Sequence, residues 1–124
     1  MSFVDNFDIF WYNIQKEIKM ETIEFARFFA DYLNKNGAIK TEIIETKGSN
    51  LFDYLIVCSS ENKMHAQELL VGLLDYAKRE FNQINSGLEG YKKADWIIVD
   101  FGKLAVHIFT EKSRKKYNME KLWH

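Results

Sequence analysis

The chain has 124 residues, of which 47% are hydrophobic and 28% are charged, and its formal net charge at pH 7 is -1. This balance predicts one globular domain with a sizeable core, and it argues against a protein that mainly coats nucleic acid. The single cysteine, Cys58, excludes an internal disulfide, and no cluster of cysteine and histidine has zinc-site spacing, so we expect no metal and no cofactor. Without a long apolar run or a signal-peptide pattern, the sequence favours a cytoplasmic protein.

Residues 1–20 are predicted to be an N-terminal extension of a domain that spans residues 21–124. Apolar residues recur in the extension at the spacing of an amphipathic helix; they are Phe3, Phe7, Phe10, Trp11, Ile14 and Ile18. This helix either packs on its own domain or binds a membrane surface or a partner, and its polar face lacks the basic excess of membrane-binding helices. Alternatively Met20 is the true start, because residues 16–20 can be encoded by a purine-rich stretch that resembles a ribosome-binding site.

The next segments alternate between helix and strand patterns. A second helix is predicted to end near Gly37, which can take the left-handed conformation of a helix C-terminus; its apolar side consists of Ile23, Ala26, Phe29, Ala30 and Leu33. Residues 39–46 have the loose alternation of an edge strand, and residues 51–58 are typical of a strand inside a sheet. Ser59 or Ser60 is predicted to cap a third helix, with Glu61 in its first turn. The buried stripe of this helix is predicted to consist of Ala66, Leu69, Leu70, Leu73, Ala77 and Phe81.

Residues 94–109 carry the strongest strand signal in the chain. Two runs rich in β-branched and aromatic residues flank Gly102, which predicts an antiparallel hairpin. Both faces of its first strand are largely apolar, so the hairpin belongs inside a sheet with helices on both sides. A short, irregular strand is expected within residues 83–91. The predicted fold class is therefore α/β, with a mixed β-sheet flanked by helices.

Thr110 can cap a last helix that carries the one clearly basic cluster of the chain; the cluster consists of Lys112, Arg114, Lys115 and Lys116. The cluster is either a solvated helix face or a contact to phosphate or an acidic partner. The tail beyond it has apolar anchors, so we expect it to dock; they are Tyr117, Met119, Leu122 and Trp123.

A weak signal for nucleotidyl transfer lies in Gly48-Ser49 followed by Asp53. That chemistry needs a second carboxylate two positions after the first, and Leu55 occupies that position. Asp100 could supply only a lone third carboxylate. A metal-dependent nucleotidyltransferase is therefore the alternative to a non-enzymatic function. His107 has no nearby partner for a catalytic triad and is predicted to be a hydrogen-bonded structural residue.

Trp96 is the more suggestive residue, because it stands beside Asp95 and shortly after two lysines. Tryptophan is enriched at interface hot spots, and core packing is the competing interpretation. Its surroundings resemble the ribosomal silencing factor (RsfS, or Iojap-like) family. The resemblance is carried by Gly90-Tyr91, by residues 94–102 and 106–109, and by the segment that runs from Tyr117 to Leu122-Trp123. The chain departs from the family at residues 59–64, where the family shows Ser-Gly-Thr-Ser followed by arginine.

The resemblance implies a nucleotidyltransferase-like fold without the catalytic carboxylate pair, and a regulator rather than an enzyme. Such proteins bind the large ribosomal subunit through its ribosomal protein fourteen (uL-fourteen), block association with the small subunit and repress translation. We expect no membrane partner and no sequence-specific nucleic acid, and a sheet edge could support a homodimer of the free protein. The expected partner-binding residues are Tyr91, Asp95, Trp96, Asp100, Lys103 and Arg114.

Overall fold

The computed structural model describes residues 20–46 and 51–118. The predicted N-terminal amphipathic helix, residues 48–50 and the tail anchors after Tyr117 lie outside the described residues. The elements in chain order are α1 (Thr22–Lys35), β1 (Ile39–Glu45), β2 (Tyr54–Ser60), α2 (Lys63–Phe81), β3 (Gly87–Glu89), β4 (Trp96–Asp100), β5 (Leu104–Thr110) and α3 (Glu111–Tyr117).

The five described strands form one mixed sheet in the order β1-β2-β5-β4-β3. Strands β2 and β5 run parallel, and the other neighbouring pairs are antiparallel. The predicted hairpin is confirmed as β4 and β5, with Trp96 opposite Phe109 and Asp100 opposite Ala105. Gly102 in its turn has φ +80°, a conformation that glycine adopts without steric cost. The α/β fold class is confirmed as well.

The two faces of the sheet are covered differently. Helices α1 and α2 share one hydrophobic cluster with Ile56, Val106 and Ile108, so both long helices lie on the same face. The opposite face, called the Trp96 face below, carries the β4 side chains Trp96, Ile98 and Asp100 and the β5 side chains Ala105, His107 and Phe109. Among the described helices, α3 supplies the contact to the Trp96 face, through Tyr117.

The start of α2 differs from the prediction. Strand β2 continues to Ser60, because its parallel pairing with β5 extends to Thr110. The helix is instead capped by Asn62, whose side chain accepts a hydrogen bond of 2.8 Å from the backbone N–H of His65, and its first turn contains no acidic residue. The predictions of a serine cap and of Glu61 in the first turn are therefore wrong.

The other helix boundaries follow the sequence signals. Helix α1 ends just before Gly37, which has φ +91°, and the Thr110 hydroxyl accepts a hydrogen bond from the Ser113 N–H at the start of α3. The predicted buried residues of α1 and α2 lie in the core, apart from the partly buried Ile23 and Phe81. None of the helices within the described ranges is both long and apolar enough to cross a membrane.

The sheet ends on β1 and β3, two strands that are poorly suited to pairing with another chain. β1 has an irregular register between Ile39 and Glu42 and alternates exposed charged residues, and β3 has three residues. Bulges, charges and short length all oppose edge-to-edge pairing. A homodimer of the free protein stays a prediction.

Candidate functional site

Trp96 stands at the start of β4, half-buried and held from three sides. Its ring stacks on Phe109, with centroids 5.0 Å apart, and lies 4.8 Å from the ring of Tyr117. Its indole N–H donates a hydrogen bond of 2.9 Å to Nδ1 of His107. These contacts fix the orientation of the ring while leaving part of it exposed.

His107 lies on β5, diagonally across from Trp96, and is buried. Burial disfavours the charged imidazolium and lowers the pKa of His107 to about 4. The ring is therefore neutral at pH 7 and can accept the tryptophan N–H at Nδ1. His107 is thus a hydrogen-bonded structural residue, as predicted.

Two partner-binding candidates of β4, Trp96 and Asp100, lie in one row on the Trp96 face. Trp96, Ile98 and Asp100 alternate along β4, each partly buried, and the row is about 13 Å long at the usual rise of a strand. The Oδ1 atom of Asp100 is buried and has no hydrogen-bond partner among the described residues. Burial, with a smaller contribution from Glu89 on β3, raises the pKa of Asp100. The row therefore ends in a partly buried carboxyl group.

Tyr91 and Asp95 lie in the connection that leads into β4. The Tyr91 side chain is exposed, and the backbone carbonyl of Tyr91 accepts a hydrogen bond of 2.8 Å from the Gln67 side chain on α2. The Asp95 carboxylate is 3.5 Å from the ammonium of Lys63, also on α2. The structure therefore groups Tyr91 and Asp95 at the Trp96 end of β4.

Lys103 and Arg114 lie apart from Trp96. Lys103 is exposed in the hairpin turn at the Asp100 end of β4, and its carbonyl accepts the Asp53 N–H at 2.7 Å. The Arg114 side chain is only 10% exposed, and its guanidinium donates to the carbonyls of Ile39 and Lys40. Arg114 thus connects α3 to the far edge strand β1, and a contact from it to a partner stays a prediction.

The position that nucleotidyl transfer requires for a second carboxylate is filled by a core residue. Asp53 directly precedes β2, and Leu55 is buried beneath the Trp96 face. Across residues 20–46 and 51–118, no three histidine, cysteine, aspartate or glutamate side chains are grouped so that they could hold a metal ion. The Leu55 side chain offers no oxygen ligand.

Sequence reasoning missed the supports of the site that come from distant elements. Lys63, Gln67 and Glu89 contact or influence the candidate residues from α2 and β3, and no local pattern pairs them with β4. The bond between Trp96 and His107 was missed as well, because alternation within each strand does not determine which faces of the two strands coincide, and the observed register decides it.

The fold defines an α/β protein built on a mixed five-stranded sheet. A family model described as "Ribosomal silencing factor during starvation" matches residues 19–124. The chain therefore belongs to the ribosomal silencing factor family, RsfS. A Haemophilus influenzae relative named "Ribosomal silencing factor RsfS" is 33% identical over 105 residues, which cover 84% of this chain and 99% of that protein.

Two further comparisons extend this result. A crystal structure of a Chromobacterium violaceum protein superimposes with a TM-score of 0.79 at 25% identity, covering 84% of this chain and 87% of that one. A mouse protein named "Mitochondrial assembly of ribosomal large subunit protein 1" is 27% identical over 77 residues, or 57% of this chain and 32% of its own length. Membership of the family makes this chain a ribosome-associated regulatory factor.

Proposed function

We propose that this protein binds the large ribosomal subunit at the surface that faces the small subunit, through ribosomal protein uL-fourteen, and blocks subunit association. Translation falls because fewer complete ribosomes form, and the protein acts in the cytoplasm without catalysing a reaction. The observation that carries the proposal is the partly exposed, oriented Trp96 at the start of the row on β4. The names of the relatives, one of which refers to assembly of the large subunit, support the choice of subunit.

The geometry of the row suits a protein partner. Trp96 is already oriented by Phe109, Tyr117 and His107, so little side-chain entropy is lost when a partner covers it. A lysine or arginine of the partner could pair with the carboxyl group of Asp100, which is only partly buried. An oriented aromatic residue is the typical centre of a binding hot spot, and a charge at the other end of the row can fix the register of the partner.

Inhibition by this route needs only mutually exclusive binding. If the factor and the small subunit cannot occupy the same surface, a free factor concentration of about 100 times its Kd disfavours subunit association by about 2.7 kcal/mol. A small protein without catalytic groups can therefore have a large effect on ribosome assembly.

The proposal is tested with purified ribosomal subunits. Large subunits incubated with the protein before small subunits are added should form fewer complete ribosomes, measured by light scattering and by sucrose-gradient sedimentation. If the mixtures pair as readily with the protein as without it, the proposed mechanism is wrong.

Replacing Trp96 with alanine should weaken binding to isolated large subunits by about 2 kcal/mol or more, because a central aromatic anchor is lost. Co-sedimentation across a range of protein concentrations measures this effect. Val71→Ala is the matched control, since Val71 is exposed on α2, on the helix-covered side of the sheet. A folded Trp96→Ala variant that sediments like the control would remove Trp96 from the interface.

The alternative function, metal-dependent nucleotidyl transfer, makes a different prediction. Magnesium-dependent turnover of a nucleotide, abolished by Asp53→Asn or Asp100→Asn, would establish it. The burial of Leu55 at the second carboxylate position is the observation against it.

A further inference from the structure

A cleft rich in lysine lies beside the Trp96 face, between the start of α2 and helix α3. We call it the lysine cleft and define it by its charged and aromatic lining: Lys63, Asp95, Glu111, Lys112, Lys115, Lys116 and Tyr117. The ring of Tyr117 also contacts the ring of Trp96, and Asp95 directly precedes Trp96 in the chain. The lysine cleft is thus continuous with the surface proposed above to bind the large subunit.

The charge of the lysine cleft is positive, although the chain as a whole is slightly acidic. Lys112, Lys115 and Lys116 are exposed, and none of them forms an ion pair with a residue in the described ranges. Their spacing of three and four residues places them along one side of α3. The carboxylate of Asp95 is balanced by Lys63, which leaves Glu111 as the one other acidic residue of the lining.

We propose that the lysine cleft binds the phosphodiester backbone of an RNA helix on the large subunit, next to the protein contact made by the Trp96 face. This inference rests on the proposed function, which places the protein on a particle that contains RNA. One flat partner surface could cover both sites, because Tyr117 borders each of them.

The arrangement of the lysines is complementary to a nucleic-acid backbone. Each lysine supplies a point charge that can meet a phosphate oxygen, and a nucleic-acid backbone presents such charges at regular, short intervals. The only arginine of α3, Arg114, donates instead to backbone carbonyls of β1. Phosphate contacts carry no sequence information, so the lysine cleft would position the protein on RNA without selecting a sequence.

The test compares two triple variants of the full chain that remove the same charge. The cleft variant is Lys112→Gln with Lys115→Gln and Lys116→Gln. The control variant is Arg27→Gln with Lys35→Gln and Lys78→Gln, three exposed cations of α1 and α2. Glutamine matches lysine closely in helix propensity, so both variants should fold.

Binding to purified large subunits is measured at several salt concentrations, and binding of the free chain to a short RNA duplex is measured by fluorescence anisotropy at low salt. The slope of log K against log salt should become shallower by about 2 to 3 in the cleft variant alone. Duplex binding should fall at least tenfold in the same variant. Equal salt slopes for both variants would overturn the proposal, even if the wild-type chain still blocks subunit association.

The two proposals can fail separately. If the wild-type chain does not bind large subunits, the proposed function fails, and the duplex measurement alone decides the lysine cleft. If only the cleft variant loses duplex binding, the proposed role of the lysine cleft is supported. If the wild-type chain does not bind the duplex, that role is overturned. Binding to polyglutamate in place of the duplex would also overturn it, in favour of an acidic protein partner.

Discussion

Replacing Gly90 with alanine is expected to destabilise the fold by about 3 kcal/mol or more. Gly90 has φ +82°, and a Cβ atom built there would overlap the backbone carbonyl oxygen of Trp96. That carbonyl belongs to β4 and cannot rotate away as a flexible side chain could. The variant therefore combines an unfavourable left-handed conformation with displacement of a strand.

Gly102→Ala is the matched control for this prediction. Gly102 has nearly the same backbone conformation, with φ +80°, but an added Cβ atom would meet nothing within 4 Å. Gly102→Ala should lower the free energy of unfolding by about 1–2 kcal/mol, the cost of placing alanine in a left-handed conformation. Urea unfolding of both variants measures the two costs, and equal losses of stability would show that the close approach at Gly90 is absent.

Gly90 also matters for the proposed binding surface. The connection from β3 to β4 passes close to the Trp96 carbonyl only because Gly90 lacks a side chain. The same connection carries Tyr91 and Asp95. A displaced strand would therefore disturb three of the residues proposed to contact the partner.

Local sequence patterns predicted much of this fold because several elements have strong signals of their own. The hairpin around Gly102 combined β-branched and aromatic runs with a turn residue, and the structure forms it as β4 and β5. The buried stripe of α2 followed from its helical period. In these segments local preference and tertiary packing favour the same structure.

The errors lie where tertiary pairing decided the outcome. β2 extends to Ser60 because β5 offers it a parallel partner up to Thr110, which moves the helix cap to Asn62. Serine caps helices well, so local chemistry alone favoured the wrong residue. The setting of Arg114 was hidden for the same reason, since its partners on β1 lie far away in the chain.

The burial of His107 should make the free energy of unfolding depend steeply on pH. The folded protein holds the pKa of His107 at about 4, below its ordinary value of 6.5, because the ring is buried. Above pH 6.5 the imidazole is neutral in both the folded and the unfolded states, so its contribution to stability is fully present. As the pH falls from 6.5 to 4, the unfolded state takes up a proton that the folded state excludes, and roughly 3 kcal/mol of stability is lost.

His107→Asn isolates this contribution. The asparagine amide oxygen can accept the N–H of Trp96 at about the position of Nδ1, and it does not titrate. Chemical unfolding at pH 7, 6, 5 and 4 should show the wild-type chain losing roughly 3 kcal/mol more than His107→Asn. His65→Asn, which removes a histidine at the start of α2, should retain the steep loss of the wild-type chain.

The comparison between variants cancels the other titrating groups, because Asp100 and the remaining carboxylates are present in each chain. The raised pKa of Asp100 acts in the opposite sense, since it makes the folded state bind its proton more readily as the pH falls. A protonated His107 could no longer accept the indole N–H, so acid should release Trp96 from one of its three supports. Parallel stability curves for the wild-type chain and His107→Asn would mean that His107 takes up its proton in the folded state near the ordinary pKa, and the prediction would then be wrong.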